Sequence, residues 1–181
     1  MSIFIITILV LAFVSLQFAA SEEGDYPVEA GVGDTVFDVG ELSVAVPEGW
    51  MVIPVMDMFG KVPNTPKTNS VKLCKGAVSP FDIMTKPSIE IIFYGSTKGI
   101  MPPKSIYKDA VELDSFMTGD HVWGGFSASA LMGKRLVLLW EDTGVFQYQV
   151  NIWVEGEDSS VSLHDADVIK ILESITPKTV I

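Results

Sequence analysis

The chain has 181 residues, of which 48% are hydrophobic and 19% charged, and its formal net charge is −11. That hydrophobic content excludes a wholly disordered chain and is enough for one domain with a real core. The negative sign argues against nucleic acid, which is held by clustered cations, and the single cysteine, Cys74, excludes an internal disulfide.

Residues 1–21 carry no charged side chain, and positions 3–14 are almost wholly aliphatic. Residues 3–20 as one helix would be about 27 Å long, slightly short of the ~30 Å hydrocarbon core. Ala19, Ala20 and Ser21 followed by Glu22 and Glu23 fit cleavage by a signal peptidase, whereas no Lys or Arg opens the segment. Residues 1–21 are therefore expected to be a signal peptide or a membrane anchor, and the chain to be exported, either secreted or associated with the cell envelope. The only cysteine lies far from this segment, so no lipid attachment is expected there. Residues 22–34, acidic and with Gly31 and Gly33, read as a flexible spacer, and residues 35–177 as a single globular domain.

Within that domain, 36–39 and 42–46 alternate like strands. Pro47, Glu48 and Gly49 form a tight turn, and 50–55 returns as a strand whose Pro54 requires an edge or a bulge. Residues 57–69 read as loop, 71–75 and 88–94 as strands, and Cys74 as a small core residue. After Pro102 and Pro103, the spacing of Ile106, Ala110, Leu113 and Met117 predicts an amphipathic helix ended by Gly119. Strands are expected over roughly 122–131, 135–140 and 145–154, joined by hairpin turns at Gly133-Lys134 and at 142–144. A final helix is predicted from Val168, Ile171, Leu172 and Ile175, with Ser162 as N-cap and Pro177 as stop. The resulting fold class is α+β, an antiparallel sheet flanked by helices.

Motifs for chemistry are sparse. Asp142, Thr143 and Gly144 spell an aspartyl-protease loop, yet that chemistry needs two carboxylates sharing a proton, and a hairpin turn explains the triplet. Ser162, His164 and Asp165 are too close in sequence for a base to sit between nucleophile and acid. Two histidines and one cysteine are too few for a zinc-type site. Glu155, Glu157, Asp158, Asp165 and Asp167 offer hard oxygen ligands for calcium without EF-hand spacing; no metal or cofactor is assigned. Gly124 and Gly125 read as a bulge or close backbone approach, and Trp50, Trp123, Trp140 and Trp153 as core residues or a stacking platform.

Charge is segregated: −9 over residues 22–60, +6 over 61–108 and −8 over 109–181. Lys61, Lys67, Lys72 and Lys75 are the candidate partner-binding residues, a cationic face toward a protein or an acidic envelope component. Lys72 and Lys75 are three apart, so a regular strand would send them to opposite faces. Membrane contact is expected only through residues 3–20, if they are not cleaved.

The turn Val46-Pro47-Glu48-Gly49-Trp50 and the ending Ile171-Leu172-Glu173-Ser174-Ile175 resemble those of PsbP/Mog-like domains, over roughly residues 36–176. The resemblance implies an α/β/α sandwich around an antiparallel sheet, a bacterial source, and a non-enzymatic binding or assembly role; it transfers no functional residue. The reading is an exported, non-catalytic binding or assembly module of the bacterial envelope or cell surface. The alternatives are an exported hydrolase with an unrecognised site and a carrier of small ligands or lipids.

Overall fold

The computed structural model describes residues 35–62, 65–95, 99, 101–130, 134–154 and 161–178. The expected export segment and acidic spacer lie outside the described residues, as do Gly133 and the acidic stretch 155–160.

In chain order the elements are β1 (Thr35–Asp38), β2 (Leu42–Val46), β3 (Trp50–Asp57), β4 (Thr65–Lys75), β5 (Ser88–Gly95), β6 (Lys108–Thr118), β7 (His121–Ser129), β8 (Arg135–Asp142), β9 (Gln147–Val154), α1 (Ala166–Ser174) and β10 (Thr176–Pro177). Short 3-10 turns occupy Pro80–Met84 and Lys104–Ile106. The strands form two sheets, one of order β1-β2-β10 and a larger one of order β3-β4-β5-β9-β8-β7-β6. Every pairing is antiparallel. Two meanders, β3-β4-β5 and β6-β7-β8-β9, join where β5 pairs β9, which places these two strands near the middle of the larger sheet.

The expected α/β/α sandwich is overturned. Among the described residues there is one α-helix, α1, and the molecule is mostly β-sheet. The segment expected to be the first helix is the edge strand β6. Its apolar residues imitate a helix because the strand is bulged: Leu113 pairs with Gly125 and Phe116 with Trp123, so Asp114 and Ser115 both oppose Gly124. One extra residue turns the strand's period of two into a spacing of three, and Leu113 and Phe116 both pack on the main core. Ile106 and Met117, which the helical stripe would have buried, are exposed. A second irregularity separates Lys108 from Val111, and Asp109 there takes φ 53°. Bulges and acids along an unpaired edge also discourage pairing with another chain.

Other local expectations hold. β3 is the opposite edge of the larger sheet, and its register shifts between Pro54 and Met56. The turn before it closes through Trp50 N–H to the Pro47 carbonyl, 3.1 Å, with Gly49 at φ 79°. The stretch expected as loop over 57–69 is partly strand, since β3 runs to Asp57 and β4 starts at Thr65.

One face of the larger sheet carries the main core. Val52, Val71, Leu73, Ile89, Ile91, Val150 and Ile152 alternate inward and meet Leu42, Val44 and Val46 of β2 with Val168, Ile171, Leu172 and Ile175 at α1. Each such side chain contributes about 1.5–3 kcal/mol when fully removed from water. Asp165, not Ser162, is the helix N-cap residue. Its carboxylate accepts from the Ser162 backbone N–H and hydroxyl, both at 3.0 Å, fixing the turn that leads into the helix. Ser174 ties the far end of α1 to β2 by accepting the Ala45 N–H at 2.7 Å.

Candidate functional site

The second face of the larger sheet has a different character. At one side Met51, Ile53 and Cys74 are covered by Ala77 and Ile83 of the β4–β5 connection. At the other, Phe126, Ala128 and Leu138 are covered by Tyr107 and Ala110. Lys134 reaches the Met84 carbonyl at 2.8 Å, linking the β8 end to the first cover. Between the covers runs a strip along β5 and β9.

That strip follows from strand alternation. In β9, Tyr148, Val150, Ile152 and Val154 enter the core, so Gln147, Gln149, Asn151 and Trp153 face the other way. Across from them stand Glu90, Ile92 and Tyr94 of β5 and Leu136, Leu138 and Trp140 of β8. The polar groups form a chain. Asn151 Nδ2 donates to Glu90 Oε2 at 3.4 Å, Gln149 Nε2 to Asn151 Oδ1 at 3.0 Å, and Tyr94 Oη to Gln149 Oε1 at 3.1 Å. Gln147 accepts the Gly99 N–H at 2.7 Å and donates to Asp142 Oδ2 at 2.7 Å. The Tyr94 and Trp140 rings meet at 5.7 Å. Burial, with the Glu90 carboxylate beside it, pushes the Tyr94 hydroxyl above its ordinary value, so it stays a neutral donor.

At the end of the strip, Ile106, Tyr107, Lys108, Ser129, Ala130, Leu136 and Trp153 line a half-open groove of about 620 Å³. Trp153 Nε1 is buried and is without a hydrogen-bond partner among the described residues.

The four candidate lysines do not share a surface. Lys61 and Lys67 are exposed at the β3–β4 hairpin end. Lys72 lies on the strip side of β4, with Ile53 and Glu90 as its strand neighbours. Lys75 points to the opposite face, where it pairs with Asp167 of α1 at 3.2 Å and lies 5.8 Å from the Trp50 ring centroid. The opposite-face expectation for Lys72 and Lys75 therefore holds. Of the possible calcium ligands, Glu155, Glu157 and Asp158 lie outside the described residues. Asp165 serves the turn before α1, and Asp167 accepts from the Trp50 indole at 3.2 Å, which holds its carboxyl below the usual value. Asp142, Thr143 and Gly144 form the β8–β9 turn, closed by Thr143 N–H to the Phe146 carbonyl at 3.0 Å. Cys74 is buried, and burial raises its thiol above the ordinary value.

A buried ionisable pair escaped the sequence. His121 Nδ1 lies 2.5 Å from Glu141 Oε2 and its Nε2 lies 2.8 Å from the Ile175 carbonyl oxygen. Glu141 Oε1 also accepts the Val122 N–H at 2.7 Å. The imidazole stacks on Trp123 and meets Tyr148 edge-on, while burial and the Glu141 charge push the Tyr148 hydroxyl up to about 12. This pair sits on the core face beneath the α1 end, where it joins β7, β8 and the chain after α1. The pair was hidden because a two-residue turn at Gly133-Lys134 sets a register that puts His121 and Glu141 on opposite faces, whereas the observed pairing of Ser129 with Arg135 puts them on one.

No protein-family model matches the chain, and no curated protein matches it. A crystal structure from Bacteroides thetaiotaomicron VPI-5482 at 1.50 Å resolution is similar at 13% identity and a TM-score of 0.43, over 81% of this chain and 48% of that one. The chain thus spans about half the length of that structure. These comparisons give no PsbP/Mog-like assignment.

Proposed function

We infer that the chain is a non-catalytic binding module of the cell envelope, and that its ligand sits in the groove at the end of the strip, between Tyr107, Leu136 and Trp153. The observation that carries this reading is the groove of about 620 Å³ lined by Tyr107, Leu136 and Trp153, whose buried indole N–H has no partner among the described residues. A ligand with an apolar or aromatic body and one hydrogen-bond acceptor fits that lining. The body would pack on Leu136, Tyr107 and the Trp153 ring, and the acceptor would take the indole proton. The strip's remaining groups support binding over turnover. Apart from Glu90 and Lys72, these groups are amides and rings, which fix orientation through hydrogen bonds and stacking and do not exchange protons near neutral pH. Placement at the envelope rests on the apolar character of residues 1–21.

The test uses anilinonaphthalene sulfonate, an aromatic body with an acceptor group, titrated into wild type and Trp153→Phe. Phenylalanine keeps a ring and removes the donor. The variant is expected to bind up to about tenfold more weakly, the value of one hydrogen bond. A broad panel of ester, glycoside and peptide substrates is run alongside. Turnover abolished by a single side-chain substitution would overturn the binding-module reading.

A further inference from the structure

We propose that the end of the β3–β4 hairpin inserts into an anionic lipid surface, a membrane contact separate from residues 3–20 and from the strip. Its apolar side chains are unusually bare. Phe59 is 99% exposed, Met58 62% and Val62 63%. Single exposed apolar residues are ordinary on a protein surface; here three fall within five residues at one turn. The hairpin end also stands clear of the sheet. β4 pairs with β5 only from Ser70 to Cys74, while its Thr65 and Pro66 pair with β3 alone.

Charge selects the occupant. Residues 58–67 hold Lys61 and Lys67 and no acid, in a chain of net charge −11. Neither lysine is in an ion pair among the described residues. Asp57, at the base of the turn, accepts the Phe59 backbone N–H at 3.3 Å and keeps its charge, so residues 57–67 carry a net charge of +1. The hairpin end is therefore a locally cationic part of a strongly anionic molecule, and beyond ~8 Å the repulsion from the remaining acids is largely screened at physiological salt. Three side chains offer roughly a few hundred Å², well below the ~1,200 Å² of a stable protein interface. A lipid surface needs no matching partner shape: Phe59, Met58 and Val62 enter the acyl boundary while the lysine ammonium groups remain among the headgroup phosphates.

Because residues 1–21 could themselves bind lipid, the readout is local. In the full chain, Val62→Cys is labelled with an environment-sensitive fluorophore; native Cys74 is buried and does not compete. Val78→Cys, exposed at the other end of β4, is the control. Vesicles of phosphatidylcholine with phosphatidylglycerol should shift the Val62 label to the blue and leave the Val78 label unchanged. Adding Phe59→Asp should weaken the Val62 response at least about tenfold, and Lys61→Glu with Lys67→Glu should weaken it several-fold, more so at low salt. An unshifted Val62 label, an equal shift at Val78, or an equal response on phosphatidylcholine alone would overturn the proposal.

Discussion

The adjacent glycines of β7 make opposite demands, and substituting each with alanine tests the sheet's geometry. A Cβ built on Gly125 would lie 2.0 Å from the Leu138 carbonyl oxygen and 3.0 Å from the Leu139 Cα, whereas one on Gly124 meets nothing within 4 Å. The obstruction at Gly125 is backbone of the paired strand β8, which cannot swing aside as a side chain would. Overpacking of this kind costs about 1–3 kcal/mol, and the upper end applies because the β7–β8 ladder must shift. Gly124→Ala should instead gain about 0.4–1 kcal/mol by restricting the unfolded chain. With a urea slope of about 2 kcal/mol/M, the Gly125→Ala midpoint should fall by roughly 1.5 M and the Gly124→Ala midpoint should rise by a few tenths. Equal shifts for the two variants, or a Gly125→Ala midpoint within a few tenths of wild type, would refute this account of β7.

Glu141→Ala removes the acceptor of both His121 and the Val122 N–H; a loss of about 2–3 kcal/mol is expected, seen by calorimetry as a Tm lower by roughly 4–12 °C. Asp167 has a folded pKa below its ordinary value of 3.8, chiefly through the Trp50 indole hydrogen bond. The stability it contributes is therefore present above about pH 4 and lost as pH falls through the folded value. Because its side chain is 36% exposed, Asp167→Asn should cost under about 1 kcal/mol at pH 7. Urea unfolding should show the gap between wild type and variant closing below pH 4; a constant gap would contradict the cause assigned to the shift.

Much of the β-structure was legible because it rests on local alternation and turn chemistry, as in the Pro47–Gly49 turn, the β8–β9 hairpin and the apolar stripe of α1. β6 was misread because Ile106, Ala110, Leu113 and Met117 recur at helical spacing, and periodicity alone cannot separate that from a bulged strand whose inward residues, Leu113 and Phe116, are three apart. Gly124 and Gly125 carried the missing signal, a close approach in the neighbouring strand, without revealing which strand was bulged. The strip was half legible: Gln147, Gln149 and Asn151 alternate with Tyr148, Val150 and Ile152, which already divides β9 into two faces. That Trp153 ends this row with an unpaired N–H depends on the β8 register and on Ile106 and Tyr107 reaching over the sheet, which no local pattern encodes. Lys72 and Lys75 fall on opposite faces for the reason their spacing implied, since successive strand residues alternate sides.

The most direct test of the binding reading is the Trp153 indole N–H resonance, followed by nitrogen-resolved NMR during titration with anilinonaphthalene sulfonate. The account predicts that this resonance moves downfield as the ring donates to the bound acceptor, together with the backbone amides of Tyr107 and Leu136 that line the groove, while the Trp50 indole on the opposite face stays in place. A saturable complex that leaves the Trp153 resonance unmoved, or that shifts Trp50 instead, would contradict it.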